Sequence, residues 1–295
     1  MSKSIVLTGA SGLIGSKLVE ALRGRDDHVT VLTRGTGSST WDPGSRRLEP
    51  ELLAGADAVV NLNGVGIGDK RWSDDRKKLI LKSRVDATSL LAETMASMEN
   101  PPKAFVSASA IGFYGDTGDR LVDESSPAGD DFQAEVCVAW EEAAGSAAEA
   151  GVRVVHPRTG IVLSRDGGAL KPMTPLFKMG VGGKLGDGSQ WWSWIGIEDE
   201  IRALMFLIDT EISGPVNLVA PNPVRNAEFT EAFGTVLGRP AVIPVPKFAL
   251  DIRLGRELAG ALGYGSVRAA QVCLADAGFE FSAPTVDAAL SQEFG

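Results

Sequence analysis

The residues with the clearest chemical meaning stand at the start of the chain, in Thr8-Gly9-Ala10-Ser11-Gly12-Leu13-Ile14-Gly15. Glycines at 9, 12 and 15 have the spacing of a dinucleotide-binding turn. Gly9 suits a tight turn, Gly12 lets the backbone approach a pyrophosphate, and Gly15 lets a helix pack on a strand. Around them, Ser11, Leu13 and Ile14 would offer the unpaired N–H groups of a helix start to the phosphates. A second candidate is Thr33-Arg34 at the tip of the next strand. An acidic tip would bind the adenosine ribose of NAD, whereas an arginine accepts the 2′-phosphate of NADP. No Asp or Glu is present there, so Arg34 favours NADP, with NAD the weaker choice. Leu62, Asn63 and Gly64 form a small-residue strand end where the cofactor's backbone would pass.

Further along, Lys70 and Arg71 put two cations beside Trp72 in a loop on the cofactor side. That suits either an anionic substrate group or a solvated loop. Trp194, clustered with Trp191 and Trp192, suits a stacking wall for a base or sugar ring, or core packing. No metal is expected: His28 and His156 are the only histidines, and Cys137 and Cys273 have no metal-like spacing.

These residues need strands and helices to bring them together. Ser4–Thr8, His28–Thr33, Asp57–Leu62, Lys103–Ser107 and Val152–Val155 read as short buried strands, rich in β-branched residues. Helical patterns separate them: from Leu13, from Ser73 (an N-cap before Asp74 and Asp75) to about Met98, and from Phe132 to Ala150. The alternation predicts a doubly wound parallel α/β sheet, a Rossmann domain over residues 1–163. Residues 164–295 are expected to form mostly a smaller C-terminal α+β domain on the substrate side. Residues 164–189 read as glycine-rich loop with one amphipathic piece near 175–179. Strands near 194–198 and 215–219 are expected to return to the first domain, flanking a helix over 199–209 that Asp199 caps. Helices are expected near 226–237, 246–261 and 267–277.

Composition narrows the partners. The 295 residues are 44% hydrophobic and 23% charged, with net charge −9. An acidic chain argues against nucleic acid, which needs a basic stripe, and against a polybasic membrane surface. No stretch approaches the roughly 20 apolar residues of a membrane span. Two distant cysteines suggest a reduced, cytoplasmic protein. A strand beginning by Ser4 is expected to leave no room for a signal peptide. The expected partner is a small molecule; an oligomer is compatible with the sequence but not indicated.

Taken with Ser107-Ala108-Ser109-Ala110-Ile111-Gly112-Phe113-Tyr114-Gly115, Trp140-Glu141, Arg158-Thr159-Gly160 and Ala220-Pro221-Asn222-Pro223, the glycine turn makes the chain resemble the extended short-chain dehydrogenase/reductase superfamily. It is most similar to the atypical epimerase branch labelled "sugar-nucleotide epimerase" or "SulA-like cell-division inhibitor", with its C-terminal extension. The resemblance implies hydride chemistry on a nicotinamide, with a Tyr-x-x-x-Lys pair as acid/base and a serine orienting the substrate oxygen. The chain has no such pair: Gly118 and Arg268 stand four residues beyond its only tyrosines, Tyr114 and Tyr264. By the resemblance, Gln133 and Cys137 occupy the Tyr and Lys places, Ser109 the serine place, and Arg84 that of a structural asparagine. Ser109, Cys137 and Tyr114 are thus the implied catalytic candidates. Arg84, Ala108, Pro157 and Arg158 join the implied cofactor contacts. Two functions follow: an NADP-dependent oxidoreductase or epimerase on a small anionic substrate, or an inactive NADP(H)-binding sensor or scaffold linked to cell division.

Overall fold

The computed structural model describes residues 2–35, 37 and 39–295. Its centre is a parallel sheet built from β1 (Ser4–Thr8), β2 (His28–Leu32), β3 (Ala58–Asn61) and β4 (Ala104–Ser107), with β5 (Ser109–Ala110) continuing β4 after a one-residue break. β6 (Leu121–Val122) lies outside this sheet, and β7 (Arg153–Thr159) lies within it. The spatial order is β2-β1-β3-β4-β7, with a last strand, Gly214–Leu218, beyond β7. Chain direction across the sheet reverses at β1, which pairs with β2 on one side and β3 on the other. That makes a crevice at the carboxyl ends of β1 and β3.

Side-chain alternation along the strands decides which helices cover which face. Ile5, Leu7, Val60, Val106 and Val155 face α1 (Leu13–Gly24) and the helix Ile197–Asp209. Val6, Val59, Phe105 and Val154 face the other way, onto α2 (Asp74–Ser97) and α4 (Gly145–Glu149). α3 (Phe132–Glu142) lies beside α2 over β5. Ser73 caps α2 as expected, its Oγ accepting the Arg76 N–H. The single helix expected over 132–150 is two, α3 and α4.

β7 runs four residues further than expected, through Pro157. Its neighbour makes this possible: β4 pairs with β7 as far as Val106–Val155, and β5 resumes at Ser109–Arg158. Pro157 falls in the gap between the two ladders, where its missing N–H costs no hydrogen bond.

The C-terminal part departs from expectation in four places. Trp194–Gly196 does not return to the central sheet; it pairs with Ile161–Ser164, which also pairs with Gly167–Gly168, as a separate three-stranded sheet. The strand expected at 215–219 does return, as Gly214–Leu218. Within the expected loop 164–189, Leu170–Lys178 is helical, burying Leu170 and Phe177. The helix expected over 246–261 breaks at Gly255, whose φ of +82° favours glycine, and residues 267–277 divide into a short strand, Arg268–Ala269, and a helix, Val272–Asp276. Arg268–Ala269 pairs with β6 and so ties this portion to the first domain. A second core of Phe177, Trp192, Trp194, Phe229, Phe233 and Leu290 holds the C-terminal portion together. No helix among the described residues is long and apolar enough to cross a membrane.

Candidate functional site

The glycine turn has the geometry its spacing predicts. Gly9 has φ +79°, and a Cβ there would lie 2.6 Å from the Leu62 carbonyl oxygen. At Gly15 a Cβ would lie 2.3 Å from the Gly9 oxygen, so only glycine lets α1 start this close to β1. Gly12 differs: a Cβ there would meet only the Gly9 oxygen, at 3.4 Å, which leaves open space above the turn. Ser11 and Gly12 are exposed. No side chain caps α1 and no acid sits in its first turn. The Ser16 N–H is bonded to the Gly12 carbonyl, so the N–H groups of Leu13, Ile14 and Gly15 precede the first helical bond and face outward. This cradle fits a pyrophosphate.

A buried polar trio that sequence reasoning missed sets the strand ends beside the turn. The Thr8 hydroxyl donates to Asn61 Oδ1 at 2.9 Å, and Asn61 Nδ2 donates to the Thr88 hydroxyl of α2 at 2.8 Å. The Asn61 carbonyl accepts the Ala108 N–H at 3.0 Å. Only an asparagine in the apolar run Ala58-Val59-Val60-Asn61 signals this arrangement. Leu62, Asn63 and Gly64 leave β3 beside Gly9. Thr33 is held by backbone bonds to Ser39 and Trp41, and Arg34 beyond it is exposed, with no side-chain partner among the described residues.

The candidate acid–base groups are buried, and each has its polar atom bonded to protein. Ser109 is 4% exposed, and its hydroxyl donates to Glu141 Oε1 at 2.6 Å. Glu141 is also gripped by Arg158, whose Nε and Nη2 donate to its two oxygens at 2.8 Å each. The extended backbone at 109–110 turns Ser109 inward, towards α3, and leaves Ala110 as the next position. Tyr114 is 1% exposed; its hydroxyl donates to Asn217 Oδ1 at 2.8 Å and accepts from Arg158 Nη1 at 3.0 Å. Burial pushes its pKa up. In this structure the Ser109 and Tyr114 hydroxyls are thus both bonded to protein groups. Both belong to a chain of buried polar bonds running Ser109–Glu141–Arg158–Tyr114–Asn217, which continues to the Ala270 carbonyl.

Cys137 is buried as well. It is 4% exposed, its thiol faces the Ala110 carbonyl at 3.6 Å, and burial followed by the Glu141 charge pushes its pKa to about 12. A neutral buried thiol is a poor acid and a poor nucleophile at neutral pH. Arg158 is 3% exposed, stacked 3.4 Å from the Phe113 ring centroid and paired with Glu141. Pro157 is buried within the sheet. Arg84 stays beside the strand end, its Nη1 donating to the Val65 and Ile80 carbonyls.

Of the expected substrate contacts, Trp194 is corrected. It is fully buried in the C-terminal core, its indole donating to the Asn222 carbonyl at 3.1 Å. Trp191 lies between Arg225 and Arg268, and Trp192 is buried. Trp72 shapes its own loop, donating to the Ile67 carbonyl and packing edge-on against Phe132 at the start of α3, 4.9 Å between centroids. Arg71 bonds the Arg253 carbonyl at 3.1 Å, and Lys77 of α2 pairs with Glu257, so loop 66–72 and residues 253–257 meet across the cleft. Lys70 remains exposed. Asp199 does not cap its helix; its two oxygens accept the Ser282 and Ala283 N–H groups and pin the C-terminal segment.

Comparison with known proteins agrees with this geometry. The profile of the "NAD dependent epimerase/dehydratase family" matches residues 5–219, and a "Domain of unknown function (DUF1731)" matches 245–293. An epimerase family protein of Mycobacterium leprae is 43% identical, over 97% of this chain and 94% of its own length. The human epimerase family protein SDR39U1 is 36% identical over 98% of each chain. A crystal structure of the human protein, solved with NADPH, superposes with a TM-score of 0.89 over 98% of each chain. A nucleoside-diphosphate sugar epimerase structure from Corynebacterium glutamicum is 37% identical with a TM-score of 0.82, covering all of this chain and 59% of that one. The chain thus belongs to the NAD dependent epimerase/dehydratase family, as an atypical short-chain dehydrogenase/reductase.

Proposed function

We propose that this chain binds NADP(H) in the crevice between β1 and β3 and serves as a nucleotide-responsive binding protein, without acid–base catalysis of the Tyr/Lys kind. The observation that carries this reading is the burial of Ser109, Tyr114 and Cys137, each with its polar atom bonded to protein, together with the absence of a Tyr-x-x-x-Lys pair. The turn Gly9–Gly15 would hold the pyrophosphate, and exposed Arg34 the 2′-phosphate. The NADPH in the human relative's structure supports the choice of cofactor. When bound, the dinucleotide supplies a hydride donor or acceptor; the residues described so far bind and orient it.

A second reading is an oxidoreductase or epimerase for a small anionic substrate, and exposed Lys70 on the loop that closes towards residues 253–257 favours it. Water would then move the proton. In both readings the partner is a small molecule.

Calorimetric titration with NADPH, NADP+ and NADH, followed by NADPH oxidation and nicotinamide isotope exchange over a panel of carbonyl compounds and sugar nucleotides, separates the two. Tight NADPH binding without turnover is the expected result. Turnover of any panel member would replace the first reading with the second, and absence of NADPH binding would sink both.

A further inference from the structure

Positive charge gathers at one place on this acidic molecule. Residues 170–184 and 238–256 together hold seven Lys and Arg against one acid, Asp251, whereas the whole chain holds 29 against 38. All seven are exposed, and none forms an ion pair among the described residues. The two segments lie side by side. Arg239 Nε donates to the Lys178 carbonyl at 3.1 Å, the Val245 N–H donates to the Lys184 carbonyl at 2.8 Å, and a Cβ at Gly183 would lie 1.8 Å from the Ile243 carbonyl oxygen. Large apolar side chains stand uncovered among the cations: Met179 is 66% exposed, Val181 46%, Val242 77% and Ile243 49%. The helix that follows, Lys247–Leu254, buries none of its residues and exposes Phe248 and Ile252 one turn apart. Apolar side chains left in water beside cations without counter-ions mark a binding surface.

A groove enters this surface between the second segment and the helix Asn226–Val236, lined by Lys184, Ala227, Thr230, Gly234, Arg239 and Val242. A Cβ at Gly234 would lie 2.8 Å from the Arg239 carbonyl oxygen, so one wall stands directly against the helix. Thr230 is 3% exposed, and its hydroxyl makes no hydrogen bond. It lacks even the bond back to the carbonyl four residues earlier that Thr94, Thr174 and Thr210 make. A buried hydroxyl without a partner is a cost that a ligand with a polar group removes. None of the lining residues belongs to the glycine turn, to the ends of β1 and β3 or to the loop 66–72, so this groove is separate from the cofactor crevice.

We infer that the groove and its basic, apolar rim dock an acidic segment of a partner protein. The segment would bring apolar side chains to Val242 and Ile243, carboxylates to the lysines and arginines, and a polar group to Thr230. Charge complementarity selects this occupant. A second copy joined symmetrically would set the seven cations against themselves. A lipid surface would leave Thr230 unpaired, because acyl chains offer no hydrogen bond, and its anionic plane would also face the acidic remainder of the chain. A short segment meets only the field within a Debye length, about 8–10 Å. The inference adds a macromolecular partner to the nucleotide site and does not depend on that site.

Fluorescence anisotropy tests it with three labelled synthetic peptides of equal length, titrated with the full chain. One consists of glutamates with leucine and phenylalanine, one of glutamates and serines, and one of lysines with leucine and phenylalanine. The first should bind, more weakly as salt rises, and each of the others at least about tenfold less well. Lys178→Glu with Lys184→Glu should weaken the first peptide about ten- to a hundredfold, and Val242→Ser with Ile243→Ser about tenfold. Thr230→Val should weaken it about three- to tenfold while leaving the thermal midpoint of the free chain unchanged or higher, since the hydroxyl removed has no partner to lose.

The inference is overturned if the first peptide binds no better than the third, or if the charge-reversed variant binds it as the wild type does. A lowered midpoint with unchanged peptide affinity in Thr230→Val would overturn the groove as the docking place. Co-sedimentation with phosphatidylglycerol vesicles and sedimentation velocity of the chain alone address the other occupants. Vesicle binding or a dimer that the same substitutions abolish would assign the surface to lipid or to a second copy, and overturn the partner. Should another variant fail to fold, the exposed pair Lys178→Glu with Lys184→Glu decides.

Discussion

The buried pair Arg158–Glu141 offers the sharpest test of the polar chain that holds Ser109 and Tyr114. Its side chains are 4% and 13% exposed, so solvent screening is slight. Arg158→Met would leave the Glu141 carboxylate with the Ser109 hydroxyl as its remaining side-chain partner, and would remove a donor from the Tyr114 hydroxyl. Removing one partner of such a pair costs about 3–5 kcal/mol, because the other charge stays buried without compensation. At the size of this chain that lowers the midpoint of thermal unfolding by roughly 6–15 °C. A second variant, Arg158→Met with Glu141→Leu, removes both charges and should recover at least about half of the loss. The assay is thermal unfolding by circular dichroism, with NADPH affinity measured at a temperature where each variant is folded. That affinity should stay within about threefold of wild type, less than 1 kcal/mol. A single variant that loses stability by less than about 1 kcal/mol would refute the energetic argument. A stable single variant that no longer binds NADPH would place Arg158 among the cofactor contacts.

Three further outcomes are expected. Arg34→Ala should weaken NADPH by about tenfold or more and leave NADH nearly unchanged, since the arginine faces only the extra phosphate; equal losses for the two cofactors would remove Arg34 from the site. Cys137, buried and with its pKa near 12, should resist thiol reagents at pH 8 until the chain is denatured, and its rapid labelling in the native protein would contradict the burial. Glu200 is fully buried with one hydrogen bond, from Thr159 at 2.8 Å, and burial raises its pKa to about 8. Its folded pKa exceeds its unfolded one, so its contribution is full below about pH 4.5 and declines as pH rises, levelling off above about 8. Glu200→Gln should abolish that decline and be the more stable protein at pH 8; parallel stability–pH curves for the two proteins would refute this.

Much of the site's cofactor half was legible from local rules. The positions of Gly9, Gly12 and Gly15 follow from backbone sterics over a few residues, and the neighbouring strand and helix patterns supply their context. The buried trio Thr8–Asn61–Thr88 was not legible, because its members are far apart in sequence and each alone looks ordinary. The hydrogen-bond partners of Ser109, Tyr114 and Cys137 were not legible for a related reason. A residue's type says what chemistry it has, but which way it points depends on a one-residue phase in the backbone and on partners such as Glu141 and Asn217. Trp194 failed because aromatic residues that serve a core and those that serve a ligand have the same composition.

By itself, the sequence determined the alternation of strands and helices, the dinucleotide turn, the arginine at the tip of β2 and the lack of a Tyr-x-x-x-Lys pair. These rest on periodicity, on glycine's freedom from a Cβ and on the identity of neighbours, all of which are local. The tertiary structure decided the rest: that β7 runs on through Pro157, that Trp194–Gly196 builds its own small sheet, and that the serine, tyrosine and thiol are buried with their polar atoms bonded to protein. Each of these depends on pairing register and burial between segments far apart in the chain, where desolvation and hydrogen-bond satisfaction, rather than residue type, fix what a side chain does.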